Sequence, residues 1–269
     1  MQGLEAYQSL IGVLYPYLSA AGLGMARGLG LMLVFPVFTR LGLTGLLRAG
    51  VVLSLSLPLL PDVVGQVEAA ESLGPGRIAA LVLKEALIGV VLGLAFALPF
   101  WTVEAAGEVL DFYRGASMAY LIDPGGTDEA SLLGTLFSLI MMAIFFLIGG
   151  FYMVVEGLYH SYAFWPILDL APSFEASSFT FFLHLLDSIF RLGLVFAGPL
   201  LIAMFLGDLA LALVNRFAPN LNVFDLSLSI KNLILLMILP IYAIFVVDYF
   251  KADLASLDAV LDNLRQFVE

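Results

Sequence analysis

Apolar residues run uninterrupted by charge over 6–26, 86–103 and 130–155. Each run is near or above the roughly 18 residues that mark a membrane-crossing helix. Shorter apolar runs occupy 28–39, 49–61, 192–207 and 232–247, with one basic residue at a border: Arg27, Arg48, Arg191 or Lys231. One charge at mid-membrane costs about 2.5–3.5 kcal/mol on insertion scales, which flanking Leu, Val and Phe offset. Polar connectors separate the runs at 62–77, 104–129, 161–177 and 215–225. From 251 onward Leu254, Leu257, Val260, Leu261 and Leu264 recur at helical spacing among charges, which predicts an acidic amphipathic tail helix.

The stretch 178–214 is too long for one straight crossing. At about 1.5 Å per residue it would reach roughly 55 Å, against a hydrocarbon core of about 30 Å. Pro199, preceded by Gly198, predicts a reversal into two antiparallel helices. Pro16, Pro36, Pro58 and Pro99 interrupt the earlier helices in the same way. The predicted fold class is therefore all-α: a polytopic membrane-type protein of long, proline-broken helical hairpins. Gly24-x-x-x-Gly28 and Gly89-x-x-x-Gly93 allow close helix approach, read here as ordinary packing.

Composition agrees with the pattern and removes several functions. Of 269 residues, 62% are apolar and 12% charged, whereas soluble domains are about 45–50% apolar and about 25% charged. Too few polar residues remain to cover a water-facing surface, so a membrane or a large assembly must supply the surroundings. Cysteine is absent, which excludes disulfides, zinc-thiolate sites and thiol nucleophiles. His160 and His184 are isolated, so no metal site and no cofactor is expected. A net charge of −11 with scattered basic residues argues against nucleic acid and against a polybasic lipid surface. The N-terminus lacks the basic region of a cleavable signal peptide. No nucleophile elbow, phosphate loop or dinucleotide fingerprint occurs, so no enzyme activity is expected.

Polar residues concentrate in two places. Along 103–133, Glu104, Glu108 and Asp111 fall at i, i+4 and i+7 on one helical face, and Arg114 follows Asp111 by three and can pair with it. Gly115-Ala116-Ser117 then weakens the helix, and Asp123-Pro124-Gly125-Gly126 predicts a turn. The apolar Met118-Ala119-Tyr120-Leu121-Ile122 lies between, which suits either a mobile loop or plug or an ordinary solvated connector. Along 215–232, Asn215, Arg216, Asn220 and Asn222 bracket the helix-breaking Pro219, where their side chains can supply donors to exposed carbonyls, and Lys231 opens the last apolar run. This is either a polar hairpin tip lining a channel or a self-satisfied turn. Elsewhere Asp187 and Arg191 are spaced to pair. Lys84 and Glu85 point about 100° apart on a helix and need partners elsewhere or an interface.

The two polar stretches resemble a known family. Ala106-Gly107-Glu108 through Asp111, then Arg114-Gly115-Ala116-Ser117 and Asp123-Pro124, resembles the "AG-acid…D…RGAS…DP" block of the T-subunit (FliR/YscT/SpaR) of the type III secretion export apparatus. Asn215-Arg216-Phe217-Ala218-Pro219, continuing Leu221-Asn222-Val223-Phe224 to Lys231, resembles its "RFAPQLNVF…K" block. Arg114 and Lys231 fit the virulence (injectisome) branch. Phe112-Tyr113 departs from the usual polar pair, Asn220 from Gln, and Ser229 from Pro.

The resemblance implies a non-enzymatic subunit of a helical export-gate assembly in the bacterial inner membrane, much of it on the periplasmic side. The implied partners are the R and S subunits, the U switch subunit, the inner rod protein, and unfolded substrates in transit. It implies an R-like part at 1–173 containing the middle channel loop 104–131, an S-like part at 174–250, and the tail 251–269. The loop residues Gly115, Ala116, Ser117, Met118, Ala119, Tyr120, Leu121, Ile122, Asp123 and Pro124 would project toward the channel and help close it. Glu104, Glu108, Asp111, Arg114, Asn215, Arg216, Asn220, Asn222 and Lys231 would line the channel or an interface. The competing reading is a small secondary transporter or ion channel built on Lys84, Glu85, Asp187, Arg191, Asp208 and Lys231, although the inverted repeat common in transporters is not visible.

Overall fold

A computed structural model describes residues 2–43, 45–70, 73–116, 131–170 and 176–266, and all regular structure among them is helical. In chain order these are α1 (Gln2–Val34), α2 (Pro36–Arg40), α3 (Gly45–Ser56), a 3-10 turn (Leu57–Leu59), α4 (Leu60–Ala69), α5 (Pro75–Tyr113), α6 (Leu132–Leu147), α7 (Gly150–Phe164), α8 (Ala176–Phe217) and α9 (Val223–Gln266). The all-α polytopic expectation holds. Among the described residues, five segments are long and apolar enough to cross a membrane: Leu14–Val34, Gly45–Ala69, Pro75–Tyr113, Phe190–Phe217 and Val223–Tyr249. Leu132–Leu147 and Gly150–Ala163 together make a sixth if the interrupted pair counts as one span. α5, α8 and α9 have 39, 42 and 44 residues, so they reach roughly 58–66 Å and extend past a hydrocarbon core of about 30 Å.

Only some of the prolines act as expected: Pro58 interrupts the chain in the 3-10 turn between α3 and α4. Pro36 does break the chain: it starts α2 at the tolerated N1 position, and Phe35 before it is extended at ψ 114. Pro16, Pro99 and Pro240 lie inside continuous helices. The predicted reversal at Pro199 does not occur, because α8 runs through it from Ala176 to Phe217. Proline removes the N–H that would bond the carbonyl four residues back, that of Val195. The Tyr242 hydroxyl donates to that carbonyl at 3.2 Å and to the Phe196 carbonyl at 3.0 Å. A reversal would instead leave helix-end groups unsatisfied in an apolar run with no capping side chain. α9 is likewise continuous to Gln266, so the tail at 251 extends the last apolar helix.

The chain forms two compact units. The first comprises Met1–Ala97, Phe151–Phe179 and Val260–Glu269. Here α1 packs on α3 and α4, around a core that includes Ala20, Leu23, Val63, Val67, Leu81 and Ile167. The glycine pairs are packing devices, as read from the sequence. A Cβ on Gly89 or Gly93 would fall on the α1 backbone at Arg27 or Leu31, while Gly28 faces Val52 of α3. Ser56 of α3 donates to the Gly24 carbonyl at 3.0 Å and to its own Val52 carbonyl at 2.8 Å.

The second unit comprises Leu98–Gly150 and Thr180–Ala259. Gly107 of α5 abuts the backbone of Leu133 and Gly134 in α6, and Gly207 of α8 abuts Ile234 of α9. Phe100 and Phe145 meet edge to face at 5.5 Å, and Phe196 and Tyr249 at 4.9 Å. Ile202, Phe205 and Leu209 on α8 and Leu236, Ile241 and Phe245 on α9 remain exposed. Outward apolar faces of this kind need lipid or protein around them.

Candidate functional site

The second unit brings the two sequence blocks together. α5 ends in a Schellman motif: the Ala116 amide donates to the Asp111 carbonyl at 3.0 Å and the Gly115 amide to the Phe112 carbonyl at 3.1 Å. Gly115 occupies the left-handed region this cap requires, at φ +85. A side chain there would also meet Leu228 of α9. The predicted Asp111–Arg114 pair is present, with Arg114 Nε 2.7 Å from Asp111 Oδ1. Arg114 Nη1 donates onward to Asn232 Oδ1 at 3.0 Å. Lys231 Nζ donates to the Tyr113 carbonyl at 3.0 Å, stands 4.7 Å from the centre of the Tyr113 ring and 3.6 Å from Asp208 Oδ2. Asp208 also accepts from the Tyr113 hydroxyl at 3.1 Å and from Ser227. Arg114 and Lys231 therefore fasten the C-terminal end of α5 to α9.

The acidic face of α5 is not uniform. Glu108 is exposed and Glu104 half-buried, but Asp111 is only 5% exposed. Its Oδ2 accepts from Ser131 Oγ at 2.6 Å and from the Leu133 amide at 2.9 Å, at the start of α6. Asp111 is buried, with its two oxygens taken up by three donors. Phe112, where the family pattern is polar, is 74% exposed.

In the second block, Asn215, Arg216 and Asn220 are exposed. The expectation that side chains cap the broken helix is corrected: backbone amides do it, with Ala218 N donating to the Val214 carbonyl and Leu221 N to that of Ala218. Turn bonds reach those carbonyls without ordering a long side chain. Asn222 precedes α9 and donates to Asp225 in its first turn. Of the loop, Gly115 and Ala116 are placed, whereas Ser117, Met118, Ala119, Tyr120, Leu121, Ile122, Asp123 and Pro124 lie outside the described residues. Asp187 and Arg191 are both exposed, and among the described residues no ion pair joins them. Exposed pairs gain little by closing, about 0–1 kcal/mol.

A second polar cluster, in the first unit, resolves the Lys84–Glu85 question. Arg27 and Glu85 are fully buried, with Arg27 Nε 2.7 Å from Glu85 Oε2. Arg27 also donates to Ser161 Oγ at 2.8 Å and to the Trp165 carbonyl at 2.7 Å, and lies 3.9 Å over the Tyr162 ring. Lys84 Nζ donates to the carbonyls of Pro166, Ile167 and Asp169, each at 2.9 Å. It is also 2.6 Å from Glu85 Oε1. Among the described residues no donor bonds that oxygen, since the three Lys84 hydrogens serve the carbonyls, so this contact is a charge contact. Arg27 and Lys84 thereby bind the carbonyls of the segment that follows α7, and Glu85 stands between the two cations.

Sequence reasoning passed over Arg27, Ser131 and Asn232. Ser131 had a signal, as a serine immediately before an apolar helix: its Oγ accepts from Gly134 N at 2.8 Å as an N-cap. Arg27 had one too, since a charge between two apolar runs must find a partner.

The sequence matches the family of bacterial export proteins, family 1, over residues 18–257. The chain belongs to that family. It is similar to Yop proteins translocation protein T of Yersinia pestis, 36% identical over 238 residues covering 88% of this chain and 90% of the relative. It is similar to secretion system apparatus protein SsaT of Salmonella typhimurium, 35% identical over 227 residues, 84% of this chain and 87% of the relative. A flagellar relative, FliR of Bacillus subtilis, is 30% identical over 170 residues, 62% of this chain and 66% of its own. The FliR/YscT/SpaR resemblance is thereby borne out. The secretion-system relatives named here align over more of this export protein than the flagellar one does.

Proposed function

We propose that this export-family protein is a non-enzymatic subunit of the type III secretion inner-membrane export gate, and forms part of the channel through which unfolded substrates pass. The observation that carries the reading is the junction of the two blocks: Arg114 with Asn232, and Lys231 with the Tyr113 carbonyl, join stretches 118 residues apart. The outgoing end of the 115–131 loop is thus seated on α9, and Ser131 at its returning end is bonded to Asp111 of α5, a footing suited to a loop that works in a channel. The loop helps close the channel, with the apolar 118–122 as its plug. Glu104, Glu108, Asn215, Arg216, Asn220 and Asn222 face the channel or neighbouring subunits. The R-like part spans 1–173, the S-like part 174–250, and 251–269 forms the acidic tail. The exposed apolar faces of α8 and α9 suit R and S subunits as neighbours, with the U subunit and inner rod protein adjoining. Much of the assembly stands on the periplasmic side of the inner membrane. The transporter alternative loses support, because Lys84, Glu85, Asp208 and Lys231 are each engaged by other protein groups.

Deleting 118–122 in the assembled gate is expected to raise leakage of small solutes across the inner membrane while the complex still assembles. Dye or ion flux in cells carrying the full secretion system measures this. Unchanged leakage with normal assembly removes the plug from the account.

A further inference from the structure

We propose that Asp111 is a clasp: one carboxylate that fixes the outgoing stem at 113–116 and the returning stem at 131–134 relative to each other. The inference rests on the reading above in one respect, that the segment between these stems works in the channel.

The position of Asp111 makes no sense for α5 alone. It sits in the last turn of a helix, where the backbone dipole is negative and a carboxylate is unfavourable. The start of α6 supplies the reason. Four amides there have no partner within the helix. Asp111 Oδ2 accepts one of them, from Leu133, while the Ser131 hydroxyl accepts that of Gly134 and donates to Asp111 Oδ2. The carboxylate is thus an N-cap supplied from another helix, where negative charge is favoured.

The same residue also holds the outgoing stem, and does so twice. Its carbonyl accepts from Ala116 N and its Oδ1 from Arg114 Nε. Arg114 neutralises the charge that burial would otherwise penalise. The glycine pair makes the reach possible: only with Gly107 against Gly134 do the two helices come close enough for an α5 carboxylate to meet an α6 amide. Asn232 and Lys231 of α9 hold the outgoing stem at Arg114 and Tyr113. Through Asp111, a displacement of that stem by α9 passes to the returning one.

The chain has no cysteine, so Ala116→Cys and Leu132→Cys add its sole thiols. Spin labels on this pair, in the full chain assembled with its export-apparatus partners in membranes, report the distance between the stems. One narrow distance is expected on the otherwise unaltered background. Asp111→Ala should broaden it and speed hydrogen exchange at the Leu133 amide about 10- to 100-fold. Asp111→Asn, which keeps the shape but sets an amide against Arg114, should broaden it partly. Asn232→Ala, which touches the outgoing stem only, should leave it narrow. An Asp111→Ala distribution as narrow as the parent's, with unchanged exchange at Leu133, overturns the clasp and leaves the stems to helix packing. If Asp111→Ala fails to assemble, Asp111→Asn and Ser131→Ala decide by the same two readouts, and no change in either is equally fatal. The channel reading is tested separately by the leakage experiment: broadened stems with a leak-free 118–122 deletion would keep the clasp and discard the plug.

Discussion

Glu85→Ala is expected to cost about 3–5 kcal/mol of stability, the range for breaking a buried ion pair by removing one partner. Total stabilities of folded domains are commonly about 5–15 kcal/mol, so this loss is a large share of the total and folded abundance in the membrane fraction should fall. The reason is charge balance. Arg27 is fully buried, and Glu85 is its carboxylate partner at 2.7 Å. The other groups around Arg27 are neutral: the Ser161 hydroxyl, the Trp165 carbonyl and the Tyr162 ring. Lys84 loses the same partner, although its three carbonyl acceptors remain. Glu85→Gln keeps an acceptor for Arg27 but loses the charge, so its effect should be smaller. Folded abundance and denaturant titration in detergent measure both. Wild-type stability for Glu85→Ala would mean that water reaches Arg27.

Gly107→Val should abolish secretion. A Cβ at Gly107 would overlap the backbone of Leu133 and Gly134, and no side-chain rotamer relieves a clash with backbone. Overpacking a core typically costs about 1–3 kcal/mol and occasionally more. Here the added methyls also force α5 and α6 apart, which breaks the Asp111 bonds to Ser131 and Leu133. Gly198→Ala is the matched control, since nothing lies within 4 Å of a Cβ there, and it should secrete normally. Substrate secretion by a strain lacking the native copy, complemented with each variant, gives the comparison. Normal secretion by Gly107→Val would show that the α5–α6 contact is dispensable.

The helices and their apolar character were legible because hydropathy is a local property of the chain. The Asp111–Arg114 pair was legible for the same reason, being three residues apart on one helix. The two family blocks pointed to the residues of the junction, but not to their pairing. Asn232 meets Arg114 across 118 residues of sequence, and no periodicity encodes that. Pro199 was misread because its effect depends on Tyr242, 47 residues from the carbonyl that the proline orphans. The Arg27–Glu85 pair spans 58 residues, so the sequence could show that each charge needed a partner but not which one. Asp111 was read as part of an exposed acidic face because spacing fixes a helical face, while the start of α6 decides what covers it.

The central claim is that this export-family protein works as one subunit of a larger gate. The most direct measurement is its purification at native abundance from membranes of cells expressing the whole secretion system, followed by mass spectrometry of the intact particle. The account predicts recovery in a hetero-oligomer with other export-apparatus membrane proteins. A stable single chain that conducts solute when reconstituted alone would contradict it.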